Sequence, residues 1–307
     1  MIDVLLALHN GAEYLPELLD SLCAQTCRDF RLLVLDDGST DGSLDLLLRR
    51  QADFPGLTVL PGPAPGSAAG AFFRLLSAST APYAMFCDQD DVWDPDKIAL
   101  TLGAMQRAEA RYGKDVPLLV HTDLRVTDAD LQIVSPSLMA MQRLCPERSD
   151  LPRLLCQSLV TGCTAMVNAP QRALAPAEPT EHCLMHDWFL SLIAAACGQV
   201  IYLDRPTLSY RQHGGNTVGA KDSGSLRYVL SRFCSARANR AALYATCAQA
   251  ADLLDLMESR LSPEQAELLQ AYSQIPTLPK AARLHSLRAL GTLKPDLLRR
   301  LGQFLFI

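Results

Sequence analysis

No stretch of this 307-residue chain stays apolar for the roughly 20 residues that a membrane-crossing helix needs. The longest candidate, Phe189 to Leu203, is broken by Ser191, Gly198 and Gln199, so it is not expected to span. The N-terminus has no basic segment followed by a long apolar stretch and a small-residue cleavage site. It runs straight into Ile2-Asp-Val-Leu-Leu-Ala-Leu8, which argues against a secretory leader. No Gly-x-Gly-x-x-Gly follows that first run, and no Gly-x-x-x-x-Gly-Lys-Ser/Thr occurs anywhere, so nicotinamide binding and P-loop phosphoryl transfer are both disfavoured. A basic excess is missing too: 28 Lys and Arg against 33 Asp and Glu leave a net charge of −5. Nucleic acid is therefore not an expected partner. Histidine is scarce at six residues, and none of the spacings builds the two-metal set of a phosphohydrolase. The ten cysteines are scattered; Cys23 and Cys27 are four apart, but no second pair at zinc spacing accompanies them. They read as free thiols of a reducing cytoplasm rather than as disulfides.

What is present is an ordinary folded composition, 49% hydrophobic and 20% charged, suited to one large domain or one domain with an appendage. Short apolar runs alternate with helical spacing. Residues 3–8 read as a strand, and Leu15, Leu18, Leu19 and Leu22 as a helix face. Arg31–Leu35 is a second strand, Leu44, Leu47 and Leu48 a second helix, and Leu57–Leu60 a third strand. A helix over 69–78 and a strand over Tyr83–Cys87 follow. This alternation predicts an α/β fold with a mixed, mostly parallel sheet flanked by helices. Further on, the pattern predicts a helix over 96–112, with Asp94 as N-cap and Pro95 at its first position, and a strand Pro117–Val120. Helix over 151–159, strand over 160–167, helix up to Cys197 with Gly198 as its stop, and strand over Val200–Leu203 follow. Beyond Gly224 the pattern is helical, broken at Pro263, Pro276, Pro279 and Pro295.

The chemistry concentrates where strands end. Tyr83-Ala-Met-Phe-Cys87 stops in Asp88-Gln-Asp90-Asp91, three carboxylates in four positions, followed by Trp93. Two unit charges about 4 Å apart cost roughly 4 kcal/mol at an effective dielectric of about 20, so a cation is expected to compensate them. Hard carboxylate oxygens favour Mg²⁺ or Mn²⁺, shared with a substrate phosphate. The junctions at His9, Asp36 and Asp88 should all fall on one sheet edge, the crevice where open α/β sheets bind nucleotides.

In order, the chain carries Asp36-Asp-Gly-Ser-Thr-Asp41, Phe86-Cys-Asp-Gln-Asp-Asp-Val-Trp93, His121-Thr-Asp123, Thr161-Gly-Cys163, His186-Asp-Trp188 and Tyr210-Arg-Gln-His-Gly-Gly-Asn216. Together these resemble the family 2 glycosyltransferases of GT-A fold, with the bacterial rhamnosyltransferase-type branch as the best match over about residues 1–218. The resemblance implies a catalytic domain at 1–218 and a helical region at 219–307. It implies inverting transfer of a sugar from a nucleotide-diphospho-sugar, with Mg²⁺ or Mn²⁺ on the diphosphate. L-Rhamnose from dTDP-rhamnose is the first choice, a UDP-hexose the next, and a catalytically silent nucleotide-sugar binder the reading from another class. The acceptor would be a hydroxyl of a bacterial cell-surface polysaccharide or lipid-linked glycan precursor, and the location cytoplasmic. By position, Ala7, His9 and Glu13 would line the nucleotide pocket, although His9 stands where many relatives carry Tyr. Asp37 would read the base beside Asp36, Asp88 and Gln89 would contact the donor, and Asp90 with Asp88 and His213 would hold the metal. Asp187 would be the general base, kept ionised by its helix N-terminus. The C-terminal helices mix Arg with Leu and Phe, a composition that suits either packing on the catalytic domain or peripheral contact with the inner face of the membrane.

Overall fold

The computed structural model describes residues 1–214 and 236–307; the expected boundary at 218 and the basic run Leu226–Phe233 lie outside the described residues. Three apolar runs, β1 (Ile2–Leu8), β2 (Phe30–Asp36) and, across a gap in sequence, a short strand β3 (Thr58–Val59), pair in parallel. They are linked by α1 (Leu15–Cys23) and α2 (Ser43–Arg49), and α3 (Ala68–Ala78) leads to β4 (Tyr83–Asp88), which lies parallel to β1 on its other side. β1 is thus flanked by β2 and β4, and the gap between β1 and β4 is a switch point of the sheet. Being covered on both faces, these strands carry nearly continuous apolar sequence. Ile2, Val4, Leu6 and Leu8 face α1 and its neighbours, while Leu5 faces α3.

After β4 come β5 (Val92–Trp93), α4 (Lys97–Tyr112), β6 (Leu118–Thr127), β7 (Ile133–Ser135), α5 (Leu138–Met141), α6 (Leu151–Cys156), β8 (Ala165–Asn168), α7 (Ala169–Leu174), α8 (His186–Cys197) and β9 (Gln199–Arg211). The sheet order is β3-β2-β1-β4-β8-β6-β9-β5, with β7 on β6. β8 runs antiparallel to both β4 and β6, β9 runs parallel to β6, and β5 is antiparallel to β9, so the mixed α/β expectation holds.

Several boundaries differ from the sequence reading. Asp94 does not cap α4. Its backbone N–H bonds to the Thr207 carbonyl (2.9 Å) beside the β5–β9 pair, its carboxylate grips Arg125, and the helix starts three residues on at Lys97. α6 stops at Cys156, because residues 157–161 are drawn out toward the 3₁₀ turn Gly162–Thr164. The strand expected over Val200–Leu203 runs on as one continuous strand, β9, as far as Arg211. Helices Ala236–Met257, Pro263–Ser273, Lys280–Ala289 and Leu297–Phe306 follow. Cys247, Leu253, Leu269, Tyr272, Leu287 and Ile307 join one apolar cluster with Leu154, Phe189 and Phe86, so these helices pack on the catalytic layers. Among the described residues, no helix is long and apolar enough to cross a membrane, and nine cysteines are unpaired.

Candidate active site

Strand register brings the polar ends together. Ala7 pairs with Asp88 and Leu8 with Asp36, so the loops after β1, β2 and β4 open at one edge. Gln89 then clamps the first loop. Its side chain accepts from His9 N and donates to His9 O, both at 2.8 Å. Gly11 has to be glycine here, because a Cβ would sit 2.5 Å from the Gln89 amide. The His9 ring Nδ1 lies 2.8 Å from the Asp37 carbonyl oxygen, and Asp37 N donates to Leu8 O at 2.7 Å. The Asp37 carboxylate accepts from Gly66 N at 2.8 Å, and Asp36 accepts from Ser39 N. Asp36 and Asp37 therefore shape their loop, and α2 starts after Gly42, with Asp41 just ahead of it accepting from Ser43 N at 3.0 Å.

The acidic run splits into three environments. Asp90 meets His213, with Nε2 2.7 Å from Oδ2. Asp88 is half-buried and is pushed up to about 7 by burial and by the charges of Asp90 and Asp187. Asp91 is fully buried, with the Cys163 thiol beside its carboxylate, and burial followed by Asp88 and Asp90 pushes it well up. Oxygens of Asp88 and Asp91 and the Cys163 sulfur lie within 4.8 Å of one another. The ammonium of Lys97 is nearby, but it bonds Thr207 Oγ1 at 3.3 Å and sits over the Trp93 ring. Burial pushes it down to about 8. The expected metal set is therefore divided: His213 lies on Asp90, whereas the ligand atoms that gather around Asp88 are those of Asp91 and Cys163.

Arg211 closes a ring around Asp90 that sequence reasoning did not assign. It is almost wholly buried, donates to Asp90 O at 3.0 Å and to Ala129 O, and pairs with Glu17. Its guanidinium stacks 4.6 Å over Tyr14, whose ring lies 4.7 Å from that of His213. Glu13, Tyr14, Glu17, Arg211 and the turn at 129–131 line a cavity of about 360 Å³. Glu13 therefore opens onto the Arg211 side of the cleft. The available signal was Arg211 itself, which stands in the quoted Tyr210–Asn216 motif without a role.

Asp187 enters from the opposite layer at the first turn of α8. Its carboxylate accepts from Gly162 N (2.8 Å) and Trp188 N (2.6 Å). Burial nevertheless outweighs these donors and the helix terminus, pushing it up to about 6, contrary to the expectation that the helix would hold it low. A Cβ on Gly162 would meet His186 Nε2 at 2.7 Å, so this turn too requires glycine. Gly162 holds Asp187 while the adjacent Cys163 touches the Asp88–Asp91 pair, which ties the two carboxylate groups together through one turn. The loop before Asp187 is fastened to the Ala236–Met257 helix by His182 on Asp252 (2.8 Å) and Leu184 N on Gln249 (2.9 Å). Gly215 and Asn216 of the late motif lie outside the described residues.

Residues 3–113 match the family model described as "Glycosyl transferase family 2". Over 237 residues the chain is 26% identical to the dTDP-rhamnosyl transferase RfbG of Shigella flexneri, covering 73% of this chain and 76% of that one. It is 27% identical over 225 residues to an uncharacterized glycosyltransferase of Nostoc sp., covering 70% and 66% respectively. Among solved structures it resembles S. aureus TarS residues 1–349 in complex with UDP-GlcNAc, with TM-score 0.57, 14% identity and coverage of 95% and 88%. It also resembles the mannosyltransferase PcManGT of Pyrobaculum calidifontis in complex with GDP-Man and Mn²⁺, with TM-score 0.53, 17% identity and coverage of 94% and 73%. With its acidic loops gathered at one edge of a GT-A sheet, the chain is a glycosyltransferase, and its residues 3–113 match the family 2 model.

Proposed function

We propose that this enzyme transfers a sugar with inversion from a nucleotide-diphospho-sugar to a hydroxyl of a bacterial polysaccharide or lipid-linked glycan precursor, with L-rhamnose from dTDP-rhamnose as the donor. The observation that carries the reading is the Gly162–Cys163 turn, one residue holding Asp187 and the next touching Asp88 and Asp91. It supports a base facing the diphosphate site across the width of one sugar. The acceptor oxygen attacks the anomeric carbon, the bond to the diphosphate breaks on the opposite side, and the hydroxyl proton passes to Asp187 Oδ. Near pH 7 a carboxylate raised to about 6 is mostly ionised yet a stronger base than an ordinary one. A bound Mg²⁺ or Mn²⁺ would supply charge neutralisation on the departing diphosphate. Asp88, Asp90 and His213 would hold it, with Arg211 fixing the Asp90 backbone. Ala7, His9, Gln89, Asp36 and Asp37 would form the wall against the nucleoside, and Glu13 would serve the Arg211 side of the cleft.

The rhamnosyl donor rests on the likeness to the Shigella flexneri enzyme. A UDP-hexose is the second reading, favoured by the likeness to TarS, which was solved with UDP-GlcNAc. Release of nucleoside diphosphate from dTDP-rhamnose, UDP-GlcNAc and GDP-mannose, with Mn²⁺ or with chelator, decides between them. Turnover of dTDP-rhamnose that chelator abolishes supports the proposal. Turnover of UDP-GlcNAc alone replaces the donor, and chelator-insensitive turnover removes the cation.

A further inference from the structure

The last helix is built inside out. Around Leu297–Phe306 the face turned inward carries Gln303, almost fully buried, and Ile307 just beyond the helix end, while Leu297, Leu301 and Leu305 point to solvent. These leucines are 70%, 51% and 50% exposed and recur every four residues, so they form one stripe along a helix of only ten residues. Gln303 is not misplaced. Its amide donates to Thr292 O at 2.9 Å and accepts from Lys294 N at 3.0 Å, which locks the helix with its apolar side outward. Asp296 caps the start by accepting from Arg299 N at 3.0 Å. A stripe held outward by satisfied polar bonds on the other side calls for an apolar cover.

The charges around the stripe select that cover. Residues 274–307 hold six Lys and Arg (280, 283, 288, 294, 299 and 300) against the single acid Asp296, in a chain whose net charge is −5. Lys294, Arg299 and Arg300 crowd the start of the helix, where Arg300 donates to Lys294 O and Pro295 O. At its other end Arg240 donates to Phe306 O at 3.2 Å, and Arg237 is exposed one turn earlier on the same helix. Cations at both ends of an outward apolar stripe fit an anionic lipid surface. They oppose a second copy on the same face, which would set like charges against each other.

We propose that Leu297–Phe306 seats the enzyme on the surface of an anionic bilayer, with Leu297, Leu301 and Leu305 entering the headgroup boundary and the flanking arginines on the lipid phosphates. This is independent of the donor sugar and of the roles of the acidic loops.

Co-sedimentation of the full chain with phosphatidylglycerol–phosphatidylcholine vesicles tests it against pure phosphatidylcholine. The expected result is binding at least about tenfold stronger to the anionic vesicles, weakened by salt. Leu301→Glu should lower that binding about tenfold with unchanged thermal midpoint, because the side chain it replaces is exposed. Leu305→Gln should weaken binding in the same direction. Equal failure to bind either vesicle, or undiminished binding by Leu301→Glu, overturns the proposal. So does a concentration-dependent dimer that Leu301→Glu dissociates, which would show that a second copy covers the stripe.

Discussion

Two neighbouring strands carry carboxylates at opposite ends, Asp3 at the start of β1 and Asp88 at the close of β4, and the two ends are treated in opposite ways. At the amino end of β1, Asp3 is fully buried and fully partnered. It accepts from Arg31 Nε (2.5 Å), Ser79 Oγ (2.7 Å), and Thr80 and Ala81 N (both 3.0 Å). Burial alone would raise it, but Arg31, Ser79 and the two backbone donors together hold it below the usual carboxylate range. At the carboxyl end of β4, Asp88 and Asp91 share one corner with excess charge and are pushed up. The first carboxylate binds three chain segments into one fold. The second pair stores an unmet demand for positive charge where a ligand can answer it, which is a cost accepted for function.

The largest expected effect breaks the contrast at its stable end. Asp3→Ala leaves Arg31 and three other donors without their acceptor and should cost about 3 to 5 kcal/mol, read from denaturant unfolding. Asp187→Asn comes next, with turnover falling at least about a hundredfold while nucleotide-sugar affinity is kept, checked by diphosphate release and by titration of donor binding. Near-normal turnover in that variant would remove Asp187 from the base role. Arg211→Gln should weaken donor and cation binding together by about tenfold, by loosening the Asp90 loop, and should leave the kcat at saturating donor within a few-fold. The smallest stability effect belongs to Asp91→Asn. With only the Cys163 thiol as a weak partner, it should cost about 1 kcal/mol or less, and a cost like that of Asp3→Ala would erase the distinction between the two ends.

Acid sharpens the same comparison. Asp3 binds its proton more weakly folded than unfolded, so its stabilisation is full above the unfolded value of 3.8 and is lost as pH falls through its lower folded value. Asp187 is the reverse, with a folded value of about 6 against 3.8. Between those values the native state keeps a proton that the unfolded chain has released, so this carboxyl favours folding at the acid side and loses that contribution as pH rises through about 6. Catalysis should follow the ionised form and decline below about pH 6, measured as kcat/KM against pH. Stability of Asp187→Asn should lack the decline between about pH 4 and 6.

The first half of this architecture was written locally. β1, β2 and β4 are buried on both faces, so each is a nearly continuous apolar run, and each run stops at a polar cluster. Parallel pairing then aligns those stops, which is why His9, Asp36 and Asp88 could be assigned to one edge before any coordinates. The second half resisted because its partners are distant in the chain. β9 spans 13 residues across a register shift against β6, and only Val200–Leu203 of it reads as a strand when neighbours alone are considered. Asp94 had the local chemistry of a helix cap, yet it was claimed by Arg125 and by the β9 side of the sheet.

By itself, the order of residues determined the α/β alternation, the acidic strand ends and the pairing of hard oxygen donors with diphosphate chemistry, since all three depend on neighbours within a few positions. Only the tertiary structure decided that Asp91 is buried beside Asp88 and Cys163, that Arg211 rings Asp90 through Tyr14 and His213, and that desolvation overrides a helix terminus at Asp187. It also decided that the last helix turns Leu297, Leu301 and Leu305 outward. Burial, charge coupling and the choice of face are properties of what surrounds a side chain, and those surroundings are assembled from segments up to 194 positions apart, as Glu17 and Arg211 are.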